Sequence, residues 1–110
     1  MKLPNPDKAI IDSQKLTGYC LNRSYPDEKH KARVFKSVLK LDVSNVDELR
    51  AFLLEPVARY DAIPEKQNQY GQKYIIDFPI TRNEKTATIH SVWIVRNQEG
   101  FPRLVTCYVL

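Results

Sequence analysis

From Gln72 to Val109 the chain alternates apolar and polar residues and is rich in β-branched and aromatic side chains. A period of two is what a strand with one buried face requires, and it excludes a helical bundle for this part of the chain. Polar breaks fall at Arg82-Asn83-Glu84-Lys85 and at Asn97-Gln98-Glu99-Gly100. The pattern therefore predicts three strands, roughly residues 72–81, 86–96 and 102–109, joined as an antiparallel meander. A further short strand around residues 62–65 is compatible with the same sheet.

Treating both breaks as four-residue hairpin loops pairs Thr81 with Thr86 and Arg96 with Phe101, and the remaining registers follow by counting outward. Ser91 then stands between Ile76 and Thr106. One face carries Tyr74, Ile76, Phe78, Ile80, Ile89, Ser91, Trp93, Leu104, Thr106 and Tyr108. The other carries Lys73, Ile75, Asp77, Thr88, His90, Val92, Ile94, Arg103, Val105, Cys107 and Val109. The first has more large apolar groups and is the face expected to meet helices, with the hydroxyls of Ser91 and Thr106 side by side in its middle.

Those helices are expected in the first half. Asp12-Ser13 can cap a helix through Cys20, Asp27 can cap one from Glu28 to about Leu41, and Asn45 with Glu48 makes a capping pattern for a third. Pro56 is expected to end or bend the third helix. The fold class is therefore α+β, with N-terminal helices on a three- to four-stranded antiparallel meander. A chain of 110 residues fits one domain over residues 1–110, helical over about 8–58 and sheet over about 62–110. No apolar run reaches the roughly 18 residues of a membrane span, and the Met-Lys-Leu-Pro-Asn-Pro start lacks the apolar stretch of a signal peptide, so a cytoplasmic location is expected. Cys20, Cys107 and the two histidines show no metal-ligand spacing, so neither a metal nor another cofactor is expected.

The net charge of +4 is carried by one segment, since Asn22 to Lys40 holds Arg23, Lys29, Lys31, Arg33, Lys36 and Lys40 against Asp27 and Glu28. A polyanion such as RNA or DNA would concentrate there. On a helical wheel, Ala32, Val34, Phe35, Val38, Leu39 and Leu41 fill one half, while Lys29, Arg33, Lys36 and Lys40 lie opposite. Lys31 falls among the apolar residues, between Phe35 and Val38, and His30 stands at their border. A cation aimed inward must snorkel or find a partner.

One reading has Lys31 bend out to solvent at the helix end. The other opens a cleft between this helical turn and the hydroxyl strip of the sheet, with His30, Lys31, Ser91 and Thr106 as catalytic candidates. Lys29, Arg33, Trp93, Arg103 and Tyr108 are then substrate-binding candidates. Imidazole moves a proton near neutral pH, cations stabilise the added charge on a pentavalent phosphate, and hydroxyls orient its oxygens. RNA supplies its own 2′-hydroxyl nucleophile, so such a site suits a ribonuclease without a metal. Each residue also has a plainer role: Trp93 as a core aromatic, Ser91 and Thr106 as a cross-strand pair, Arg103 flanking its turn. His90, expected near Asp77 or Arg103, reads as a structural or surface histidine.

From Met-Lys-Leu-Pro-Asn through His-Lys-Ala-Arg-Val-Phe and Ser-Val-Trp to Pro-Arg-Leu-Val-Thr-Cys-Tyr, the chain resembles a family of small bacterial domains of unassigned function, frequent in cyanobacteria. Members resemble toxin components encoded beside a small antitoxin-like protein, and related segments end larger secreted toxins. More distantly, the chain is similar to the BECR group of metal-independent ribonuclease toxins, which includes barnase, EndoU, colicin E and D type nucleases and RelE. That group shares a plan of N-terminal helices followed by an antiparallel sheet. Its colicin D type uses a histidine beside lysines on a helix and a later Ser-x-Trp on a strand, which Lys29, His30, Lys31, Ser91 and Trp93 match.

The resemblance implies a toxin of a toxin-antitoxin pair that cleaves RNA and binds a small antitoxin protein. The competing expectations are a non-catalytic antitoxin, immunity or adaptor domain, binding a protein through its basic helix and sheet edge, and a DNA-binding domain. The last has neither helix-turn-helix spacing nor a zinc signature behind it.

Overall fold

The computed structural model describes residues 2–16 and 33–110. Its sheet has four antiparallel strands in the order β1 (Ile63–Asn68), β2 (Gly71–Arg82), β3 (Lys85–Arg96) and β4 (Pro102–Val109). Thr81 pairs with Thr86 as counted from the sequence, and the ladder runs one pair further, to Arg82 and Lys85. The expected four-residue loop tightens to two residues because Asn83 and Glu84 both take positive φ, 53° and 64°. That backbone twist matches the twist of the flanking strands. At the other end Asn68 Oδ1 accepts from the backbone N–H groups of Tyr70 (2.8 Å) and Gly71 (3.1 Å), closing the β1/β2 turn. Gly71 lies so close to β3 that a Cβ there would sit 2.2 Å from the Val95 carbonyl oxygen.

β4 departs from the expected register. Its pairing with β3 is as counted from Val95 and Pro102 to Trp93 and Leu104, and then shifts by one residue, so that Val92 faces Thr106, Ser91 faces Cys107 and His90 faces Tyr108. Val105 is the extra residue of a β-bulge. Beyond it every side chain of β4 changes face. The core face therefore receives Cys107 and Val109, and Thr106 and Tyr108 pass to the opposite face. The predicted pairing of Ser91 with Thr106 is corrected accordingly.

The face rich in large apolar groups is the buried one. Ile76, Phe78, Ile80, Ile89, Trp93, Leu104 and Cys107 are at most 3% exposed and form one cluster with Leu3, Leu16, Phe35, Leu39, Leu41, Leu49, Leu53 and Val57. The helical layer is less regular than expected. After a helical turn α1 (Ser13–Lys15), whose first N–H groups include Gln14 N–H on Asp12 Oδ1 at 2.9 Å, the expected continuation to Cys20 lies outside the described residues. Of the helix predicted over 28–41, residues Phe35–Leu39 form a π-helical segment that ends at Lys40, in the left-handed region at φ 56°.

Helix α2 (Val46–Arg59) starts after Asn45, as the sequence pattern suggests, but the Asn45 side chain does not cap it and instead joins a capping box on the preceding 3-10 turn, Val43–Asn45. Asp42 accepts from Ser44 N–H at 2.9 Å, and Asn45 Oδ1 accepts from Asp42 N–H at 3.2 Å. Glu48 is instead engaged by Arg82, with Nε and Nη2 each 2.9 Å from a carboxylate oxygen. The same guanidinium donates to the Leu39 carbonyl at 2.7 Å, so it ties the end of the π-helical segment and α2 to the β2/β3 hairpin. α2 passes through Pro56 and closes with Tyr60 N–H on the Pro56 carbonyl at 2.8 Å. The buried proline ring packs inward there rather than ending the helix.

The N-terminal segment covers part of the outer edge of β4, with Ile10 N–H donating to the Pro102 carbonyl (2.9 Å) and Leu104 N–H to that of Ile10 (3.0 Å). β1 forms the opposite edge and is exposed along its whole length. Among the described residues, no helix is long and apolar enough to cross a membrane.

Candidate functional site

The candidates singled out on the strands separate into two groups. Ser91 and Trp93 are both 0% exposed, inside the core. Ser91 Oγ donates to the Ile76 carbonyl at 2.6 Å and accepts from Trp93 Nε1 at 2.9 Å. This closed pair satisfies an indole N–H that burial would otherwise orphan. Thr106, Tyr108 and Arg103 lie on the other face, away from Ser91. Of the helical candidates, Arg33 is exposed, while Lys29, His30 and Lys31 lie outside the described residues.

On that second face the β2/β3 register and the β4 bulge assemble a row across three strands: Asp77, His90 and Tyr108. His90 Nδ1 is 2.8 Å from Asp77 Oδ1, and its ring lies 4.9 Å from that of Tyr108, tilted by 35°. A carboxylate can only accept, so Nδ1 carries the proton and Nε2 is the nitrogen left for a ligand. His90 is 17% exposed and Asp77 45%, so the imidazole is held yet accessible. The next row along the sheet is Ile75, Val92 and Thr106, and the one after it Lys73, Ile94 and Arg103. The latter lies about 13 Å from His90 at the ordinary rise per strand residue.

Lys73 and Arg103 face a cleft of about 670 Å³ between the β1/β2 and β3/β4 turns, with Lys15, Tyr70, Arg96 and Asn97 among its lining residues. Asn97 holds the two turns together, its backbone N–H on the Tyr70 carbonyl and its Nδ2 on that of Gln69, each at 2.8 Å. Arg103 is itself positioned, with Nε and Nη2 on the Glu99 carboxylate at 2.9 and 3.0 Å and its guanidinium 5.3 Å from the Phe101 ring centre. That guanidinium holds the Glu99 carboxyl below its ordinary range.

Sequence reasoning did not select Asp77, Lys73, Tyr70 or Arg96 as candidates, and it gave His90 a structural or surface role. The signal was available for two of the four, since Lys73-x-Ile75-x-Asp77 alternates on one face and the β2/β3 register counted from the hairpin break already sets Asp77 beside His90. Tyr70 and Arg96 reach the cleft only because two hairpin turns meet at one end of the sheet.

The family described as "Domain of unknown function (DUF6883)" matches residues 2–110, and the chain belongs to it. Comparison with curated proteins yields no match. Among solved structures, one chain of a "Contact-dependent growth inhibition toxin - immunity protein complex from Klebsiella pneumoniae 342" has a TM-score of 0.65 at 18% identity, covering 92% of this chain and 99% of that chain. At that identity the likeness is one of fold.

Proposed function

We propose that this domain is an RNA-cleaving toxin whose catalytic face is the one bearing Asp77, His90 and Tyr108. The observation that carries the reading is the imidazole fixed by a carboxylate and flanked by a phenol on an accessible sheet face, with cations further along it. The fold shared with a chain of a toxin–immunity complex supports a role on one side of such a pair, and the sequence resemblance to ribonuclease toxins favours the toxin side.

In this reading His90 Nε2 takes the proton of a ribose 2′-hydroxyl as its oxygen bonds to the adjacent phosphorus. The bond from phosphorus to the 5′-oxygen breaks, and that oxygen takes a proton from an acid, leaving a 2′,3′-cyclic phosphate and a 5′-hydroxyl. Asp77 fixes the tautomer and stabilises the imidazolium that forms. Tyr108 and the sequence-derived His30 and Lys31 are the candidates for the acid and for stabilising the phosphorane charge. No metal takes part in these steps.

The test is incubation of purified protein with total RNA, with and without a chelator. Wild type cleaves in both, and His90→Ala loses cleavage by at least two orders of magnitude while unfolding at the wild-type temperature. Intact RNA with wild type, together with harmless expression, refutes the reading. The second reading, a non-catalytic immunity or antitoxin domain binding a protein partner, is favoured by the exposed β1 edge, where Ile63 is 64% exposed. It predicts harmless expression and a stable complex with a neighbouring gene product.

A further inference from the structure

The chemistry at His90 accounts for one phosphate and leaves the basic cleft unused. We infer that the cleft between the β1/β2 and β3/β4 turns is a binding subsite for a single-stranded RNA segment a few nucleotides from the reacting bond. This deepens the ribonuclease reading and rests on it. Among the cleft's described lining residues, Lys15, Lys73, Arg96 and Arg103 are cationic and none is a carboxylate. Of the carboxylates beside it, Glu99 is occupied by Arg103, on which Asp12 also acts. Lys73 and Arg96 supply the charge that remains for phosphate oxygens.

Tyr70 stands at the rim, 65% exposed, with its chain fixed by Asn68 and Asn97. An aromatic so presented beside backbone-binding cations is the arrangement that holds single strands, the ring stacking on a base of any identity. The distance from His90, about 13 Å along the strands, lets a short run of nucleotides occupy both places and leaves a dinucleotide able to reach only one. The subsite therefore selects for chain length rather than for sequence.

The probe is a fluorescent single-stranded octanucleotide blocked by 2′-O-methyl groups, which binds without being cleaved, compared with the matching dinucleotide by anisotropy over a range of salt. Lys73→Ala/Arg96→Ala together should weaken octanucleotide binding by about tenfold. The slope of log affinity against log salt should fall by about 1.4, which is two phosphates at about 0.7 each. Dinucleotide binding should lose less, since it gains nothing from spanning both places, and Tyr70→Ala should weaken every octanucleotide sequence alike. Lys85→Ala, at the opposite end of β3, is the control for diffuse charge attraction.

Equal losses from Lys85→Ala, or wild-type binding by the double variant, overturn the subsite. Because the probe cannot be cleaved, the two proposals fail separately. A His90-dependent cleavage with an indifferent cleft removes only the subsite, and a cleft-dependent binder that cleaves no RNA removes only the catalytic reading.

Discussion

Ser91→Ala tests whether the buried Ser91–Trp93 pair is structural. The substitution removes the 2.6 Å bond to the Ile76 carbonyl and leaves Trp93 Nε1, 0% exposed, without its 2.9 Å acceptor. A lost intramolecular hydrogen bond costs about 1 kcal/mol, and an orphaned buried donor costs a further 1–3 kcal/mol or so. The expected loss is therefore roughly 2–4 kcal/mol, a large part of the 5–15 kcal/mol or so that holds a typical domain, and about 10–20 °C in melting temperature. Urea unfolding followed by far-UV circular dichroism measures it, since Trp93 is the only tryptophan and its replacement removes the fluorophore.

The decisive comparison is a double-mutant cycle with Trp93→Phe. Once the indole N–H is gone there is nothing to orphan, so Ser91→Ala should then cost only about 1 kcal/mol, a coupling of roughly 1–3 kcal/mol. Additive losses, or a single-variant loss below about 0.5 kcal/mol, would refute the reasoning. A stable Ser91→Ala protein that has lost RNA cleavage would return Ser91 to the catalytic group in which the sequence first placed it.

Three further perturbations follow from the fold. Gly71→Ala drives a Cβ into backbone, 2.2 Å from the Val95 oxygen and 2.7 Å from Arg96 Cα, so thermal unfolding should show a loss of about 1–3 kcal/mol or more. Glu84→Gly should stabilise the β2/β3 hairpin by about 1 kcal/mol, because Glu84 at φ 64° occupies a region that disfavours a Cβ; no change in the urea midpoint would count against the type of turn described. Lys36 and Ser44 hold the Asp42 carboxyl well below its ordinary value, and Arg82 and Arg103 lower those of Glu48 and Glu99. Depressed carboxyls contribute stability above their unfolded values, 3.8 for aspartate and 4.5 for glutamate. That contribution is lost as pH falls through the lower folded values. Melting temperature should therefore drop on acidification below about pH 4.5, less steeply in Glu48→Gln.

Much of the sheet and part of the site were legible in the chain. The period of two marked β2, β3 and β4, the choice of buried face followed from the bulk of Ile76, Phe78, Ile89 and Trp93, and the hairpin breaks set the β2/β3 register to the residue. His90 was correctly expected on the second face near Asp77. The helix start at Asn45 was legible, but not the use of its side chain, because Asn45 Oδ1 turns back to the Asp42 N–H and Glu48 is taken by Arg82.

What the sequence determined alone is the fold class and the face that must be buried, because periodicity and side-chain bulk are local quantities. Only the tertiary structure decided which polar residues share a face. Val105, Thr106 and Cys107 are all acceptable strand residues, so nothing local reveals that Val105 bulges. Yet that one extra residue moves Thr106 and Tyr108 from the side of Ser91 to the side of His90. The serine then belongs to the core and the tyrosine to the histidine, an outcome set by how β4 pairs with β3 and not by the order of residues within either strand.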